Sequence, residues 1–240
     1  MIWSRLIVRV AVAVALAVPV GAATESLVNR LLRVSGLTAA PGQMRGPGDE
    51  VEAGNIWIVN LDRRTTRALT ADGGYRSPVF SPADGTVYAL KGDAIVRIPA
   101  EGSKPVAVRK VSGALKLVGF DGKSPDEAVL LLDNGAKGSP LVIVSLKSGG
   151  VTPLSYDAKS DDQRRMLAQI RGQDRVYGDT IVYTKTETKR GLSRNIEWTD
   201  VYLRRGNAAP QNISACDGVS CVQPVLSPDG RNVAYVKSEG

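Results

Sequence analysis

The chain has 240 residues, 43% of them hydrophobic and 23% charged, with a formal charge of +7 and no histidine. That apolar share is enough to bury a core in one ordinary domain or two small ones, and it excludes a disordered chain. The missing histidine excludes every Ser-His, Cys-His and His-metal arrangement. Basic residues are scattered and aromatics make up only 5% of the chain, which speaks against a nucleic-acid partner and for a mixed, solvated surface.

The opening MIWSRLIVRVAVAVALAVPVGAATES sets Arg5 and Arg9 ahead of an apolar run from Val10 to Val20, followed by Gly21, Ala22 and Ala23. This is the order of a secretory signal peptide, residues 1–23, with cleavage expected after Ala22 or Ala23. The run is short of the ~20 residues a spanning helix needs, so no stable membrane span is expected after cleavage. No cysteine lies near the cleavage point to take a lipid. Removing Arg5 and Arg9 leaves 29 basic against 24 acidic residues, a charge of +5. The expected location is periplasmic or secreted.

Residues 24–53 form a lead. TESLVNRLLRVSGL places Leu27, Leu31, Val34 and Leu37 at helical spacing, which predicts a short amphipathic helix starting near Ser26. Packing against the rest of the protein and docking to a partner are both open to it. The Gly- and Pro-rich TAAPGQMRGPGDEVEAG after it is a linker.

From Gly54 to the last residue, 240, short alternating runs are separated by turn residues, the signal of an all-β fold. Four runs share an apolar strand, a polar turn and a second short strand. They are IWIVNLDRRTTRALT from Ile56, AIVRIPAEGSKPVAV from Ala94, LVIVSLKSGGVTPLS from Leu141 and DVYLRRGNAAPQNIS from Asp200. Their starts are 38, 47 and 59 residues apart, an internal repeat with growing insertions. Other strand pairs lie between these runs, and SPVFSPADGTVYAL (77–90) nearly recurs as QPVLSPDGRNVAYV (223–236) after the last of them. The chain therefore opens on half a repeat and closes on the complementary half, which suggests a ring closed by pairing its two ends.

Within the repeated phrase, Ser81-Pro82 and Ser227-Pro228 end a strand, because proline lacks the amide donor and fixes φ. Asp84-Gly85 and Asp229-Gly230 suit a tight turn, with glycine supplying φ > 0. Phe120-Asp121-Gly122 keeps the turn without the Ser-Pro, and Gly178-Asp179 keeps less. The insertion 155–174 has two readings: a helix capped at Ser160 that carries Met166, Leu167 and Ile170, or an innermost strand in RRMLAQI, favoured because the repeat otherwise lacks one. TKTETKRGLSRN, residues 184–195, is read as a long exposed hairpin loop.

Cys216 and Cys221, in ACDGVSCVQ, flank Asp217-Gly218. In an exported chain this predicts a small-loop disulfide contributing about 2 kcal/mol in the loop-entropy account. Two cysteines without histidine leave a zinc-like ion short of ligands.

The phrases PVFSPADGTVYAL and PVLSPDGRNVAYV, with IWIVNL…RALT and TDVYLRR, resemble the WD40-like (PD40) repeats of TolB-type β-propellers over roughly residues 54–240. The resemblance implies four-stranded blades around a central channel, with N-terminal strands closing the last blade. Three whole units and one shared blade make a small propeller of about four blades, or an incomplete ring that pairs with another chain. TolB proteins themselves carry more blades and an N-terminal α/β domain, for which the residues before Gly54 are too few.

No G-x-S-x-G elbow, P-loop, G-x-G-x-x-G or EF-hand spacing is present. A carboxylate-pair enzyme is the remaining catalytic class, and Asp161-Asp162 are more simply loop charges or a helix start. The expectation is therefore a non-catalytic, cofactor-free module that binds an envelope or secreted protein. The alternative is a propeller that binds a small ligand or cation, with Asp133, Asp157, Asp161, Asp162, Asp174 and Asp179 as loop carboxylates that ordinary turn chemistry also explains.

Overall fold

A computed structural model describes residues 52–102, 104–121, 124–133, 141–154, 175–191 and 195–238. The predicted leader and the 24–53 lead lie outside them. The described residues form strands and turns and no helix.

Among the described residues sixteen strands form three antiparallel sheets, two of four strands and one of eight; the eight-stranded sheet divides into two blades of four joined by one bridge, Gly54 opposite Tyr75. The second blade is β3 (Tyr75–Phe80), β4 (Val87–Lys91), β5 (Ala94–Ile98) and β6 (Val106–Lys110); the third is β7 (Ala114–Phe120), β8 (Glu127–Leu132), β9 (Leu141–Ser145) and β10 (Val151–Pro153). The fourth is β11 (Arg175–Tyr177), β12 (Thr180–Arg190), β13 (Asn195–Arg205) and β14 (Gln211–Asn212). The closing blade joins β15 (Cys221–Leu226) and β16 (Asn232–Ser238) to β1 (Gly54–Asn60) and β2 (Thr65–Ala68). Strand β1 pairs with β16 along its whole length, from Gly54 opposite Ser238 to Asn60 opposite Asn232. Among the described residues the protein is thus all-β, built as a small propeller of about four blades whose last blade is closed by the N-terminal strands, as the half-repeats predict.

Both faces of the blades are apolar, and the period of two shows why. In β4, Val87 and Ala89 join a cluster with Ile56, Val225, Ala234 and Val236 of the closing blade. The intervening Tyr88 and Leu90 join a second cluster with Leu117, Leu130, Val142 and Val144 of the third blade. Tyr88 meets Phe120 edge-on there, ring centroids 5.1 Å apart. In β16, Val233 and Tyr235 turn instead toward Val182, Val201 and Leu203 of the fourth blade. The far face of the third blade is covered by its own cluster of Val118, Val129, Leu131 and Leu141, with Leu115, Ile143 and Leu154 against it. Contacts between first strands join β15 to β3, β3 to β7 and β11 to β15; among the described residues no comparable junction links the third blade to the fourth.

One sequence reading changes. Residues 184–190 are strand rather than loop: β12 and β13 pair in unbroken register from Thr180 opposite Arg205 to Arg190 opposite Asn195. Alternating threonines and cross-strand partners make this stretch a ribbon, and its exposure misled the loop reading. Among the described residues the first strand of the fourth blade is Arg175–Tyr177, paired with the start of β12. The insertion 155–174 itself lies outside the described residues.

Candidate functional site

The repeated phrase is structural. Ser81 and Ser227 are buried at the ends of β3 and β15. The Ser81 amide donates to the Thr86 carbonyl and the Ser227 amide to the Asn232 carbonyl, at 2.8 and 2.9 Å, which closes the same turn twice. Pro82 and Pro228 follow the strands, and Gly85 and Gly230 take φ of 68° and 70°, the state the sequence requires. The Asp84 carboxylate accepts from the Thr86 amide at 3.0 Å, and that of Asp229 from the Arg231 amide at 3.0 Å. Burial pushes the Asp84 carboxyl up, but bonds from Thr86 and Ser81 outweigh it and leave it below the ordinary value; Ser227 lowers that of Asp229. These are turn carboxylates with local partners.

A second echo of the repeat knits the first strands together. Ser77 and Gln223 occupy matching positions, have φ of 53° and 54° and precede Pro78 and Pro224. Each sits in a register shift, between Arg76 and Val79 in β3 and between Val222 and Val225 in β15. Proline offers no amide to the ladder, so the bulge falls there. The Gln223 Oε1 accepts from the Ser77 amide at 2.6 Å, and its Nε2 donates to the Glu52 carbonyl at 3.1 Å. Arg76 reaches the other way and donates to the Ala114 carbonyl of β7 at 2.8 Å.

Cys216 and Cys221 form the predicted disulfide, with Cα atoms 6.2 Å apart. Beside it, Asp200 is 3% exposed. Its carboxylate accepts from the Cys216 amide at 2.7 Å, Asn212 Nδ2 at 2.9 Å, Ser214 Oγ at 3.0 Å and Trp198 Nε1 at 3.1 Å. Burial pushes this carboxyl up, and the four donors more than offset it, so it lies below 3.8. Tyr235, 1% exposed, has its phenol pushed up to about 12 by burial. Both perturbed groups serve the packing of the fourth blade on the closing blade.

The cavity in this region is a groove of about 530 Å³ between the outer edges of those two blades. Val59, Leu61, Leu203 and Ile213 contribute its apolar wall, while Arg64, Arg205, Thr66, Gln211, Asn60 and Asn212 contribute polar groups. Some of these are committed: Asn60 Nδ2 donates to Asn232 Oδ1 at 3.0 Å, and Asn212 Oδ1 accepts from the Ala215 amide at 2.9 Å. Arg64, Arg205, Thr66 and Gln211 are exposed, and their side chains have no partner among the described residues. Arg64 takes φ of 53° in the β1–β2 turn, a position that favours glycine or asparagine. The sequence reading missed this site. Its one local signal is an arginine in DRRT where a turn glycine is expected.

Of the loop aspartates, Asp133 sits just after β8, and Asp179, in the β11–β12 turn, accepts the Gly206 amide through its carbonyl at 2.8 Å. Asp157, Asp161, Asp162 and Asp174 lie outside the described residues. Among the described residues no three metal-ligating side chains converge, and no helix is long and apolar enough to cross a membrane.

No family model and no curated protein matches the chain. Among solved structures, it is similar to a candidate TolB from Agrobacterium tumefaciens, at 15% identity and TM-score 0.37 over 77% of this chain and 61% of that one. It is also similar to the AtxE2 isopeptidase. The form with Astexin3-dC4 bound is 16% identical with TM-score 0.29, over 72% of this chain and 28% of that one. The apo form is 16% identical with TM-score 0.27, over 74% of this chain and 27% of that one. The chain thus spans about three fifths of the first structure and less than a third of the isopeptidase. Likenesses of this size carry no argument about activity, and the fold assignment rests on the strand pairing above.

Proposed function

We propose that this chain is an exported, non-catalytic β-propeller that acts as a protein–protein interaction module of the bacterial envelope. The observation that carries the reading is the groove between the closing and fourth blades, where exposed polar side chains without partners among the described residues border an apolar wall beside the outermost strands. Strand edges and uncommitted polar groups are what a protein partner engages. The perturbed acids, in contrast, are held by local hydrogen bonds rather than poised for proton transfer. The Cys216–Cys221 disulfide supports an oxidising compartment, as the leader-like N-terminus does.

Expressing the tagged protein with its own leader tests both halves. The mature chain is expected in the periplasmic or secreted fraction, starting at Ala23 or Thr24, and crosslinking with mass spectrometry is expected to recover a stoichiometric protein partner. A folded, exported protein that captures nothing above a mock strain overturns the interaction role, and retention in the cytoplasm overturns export.

A further inference from the structure

Resting on that interaction reading, we propose that the groove between the closing and fourth blades takes an extended acidic peptide segment of the partner, with its carboxylates on Arg64 and Arg205 and an apolar side chain against Val59 and Leu203. Charge decides the sign of the ligand. Among the described residues two arginines line the groove and no acid does. Asp62, two residues before Arg64, is 3.7 Å from the Arg231 guanidinium. An arginine fork binds a carboxylate through paired hydrogen bonds, so both guanidinium groups suit acidic side chains.

The edges decide its form. Among the described residues strand β2 pairs only with β1, and all four of its residues are exposed. Its alternation sends Thr66 to the groove, while Arg67 donates to the Ala100 carbonyl of the second blade. Across the groove, β14 pairs only with β13 among the described residues. An extended peptide matches such an edge with backbone hydrogen bonds and places alternate side chains toward the wall. Among the described residues the groove lining contains no aromatic ring on which a base would stack, which argues against a single-stranded nucleic acid. Its volume lies in the range that holds a few side chains. The left-handed backbone of Arg64 adds a further reason. A residue with a Cβ persists at a glycine-favouring position, and its side chain lines the groove.

The test uses the mature protein and a fluorescein-labelled hexapeptide that alternates glutamate with leucine, beside the same peptide with lysine for glutamate, read by fluorescence anisotropy. The acidic peptide is expected to bind with an affinity that falls as salt rises, and the basic one is expected not to bind. Arg205→Glu and Arg64→Gly are each expected to weaken binding about tenfold, with thermal unfolding unchanged for the first and unchanged or raised for the second. Equal binding of the two peptides, or full affinity in the Arg64→Gly/Arg205→Glu double variant, overturns the proposal. Capture of the envelope partner separates the two levels. A partner held equally by wild type and double variant refutes the groove and leaves the interaction reading intact, whereas no capture by the wild type refutes that reading itself.

Discussion

Replacing Asp200 by alanine removes the acceptor shared by the Cys216 amide, Asn212, Ser214 and Trp198, and leaves those donors around a small void. The Cys216 amide is buried, so the loss of its charge-assisted bond costs about 2 kcal/mol. The other three donors are only partly buried and regain water, adding a few tenths of a kcal/mol each, for a total of about 3 kcal/mol. For a domain of this size that is a fall in Tm of roughly 6–12 °C, measured by circular dichroism at pH 7. The pH dependence supplies a second signature. The folded carboxyl lies below its ordinary 3.8, so its contribution is fully present above that value and is lost as pH falls through the folded value. The stability gap between wild type and Asp200→Ala is therefore expected to narrow as pH falls below 3.8. A loss under about 1 kcal/mol at neutral pH, or a gap that stays constant into the acid range, refutes this account of Asp200.

Three further outcomes follow from the same packing. Reducing the Cys216–Cys221 disulfide, or changing both cysteines to serine, is expected to cost about 2 kcal/mol and to leave the far-ultraviolet spectrum unchanged; loss of the β signal would show the bond to be a main support of the fold. A Cβ on Gly54 would overlap the Lys237 carbonyl and sit 2.8 Å from its carbon, so Gly54→Ala is expected to destabilise by about 3 kcal/mol in urea unfolding, and a neutral result would contradict the β1–β16 register. Tyr235 ionises at about 12 when folded against an ordinary 10.0, so its contribution is whole below 10.0 and is lost as pH rises toward 12. Tyrosinate absorbance at this residue, isolated by comparison with Tyr235→Phe, is expected to appear only with unfolding.

The sequence carried the architecture because each blade repeats a local rule. Val87, Tyr88, Ala89 and Leu90 alternate between two buried faces, and Asp84-Gly85 turns the chain as Asp229-Gly230 does. The half-repeats at either end predicted the pairing of β1 with β16, which depends on counting strands rather than on any one contact. Groups assembled across blades were not legible. Ser77 and Gln223 meet because of a shared bulge, yet neither residue type signals a bond across 146 positions. Arg64 and Arg205 lie in separate repeats, and only the stacking of the fourth blade on the closing blade places them on one groove. The 184–190 stretch failed for a different reason. Charge and exposure resemble a loop when facing residues are polar on both strands, as with Thr186 opposite Thr199, Thr188 opposite Glu197 and Arg190 opposite Asn195.

Completion of the last blade by the chain's own N-terminal strands is tested most directly by a pair of cysteines at positions 60 and 232. Asn60 and Asn232 face each other across β1 and β16, with side chains in hydrogen-bond contact at 3.0 Å. Opposed antiparallel residues lie within the Cα separation a disulfide spans. Asn60→Cys/Asn232→Cys, oxidised at low protein concentration and mapped by mass spectrometry, is expected to yield an intramolecular bond in a monomer beside the native one. A bond that forms only between chains, or none at all in a folded protein, would contradict completion of the last blade by its own N-terminal strands.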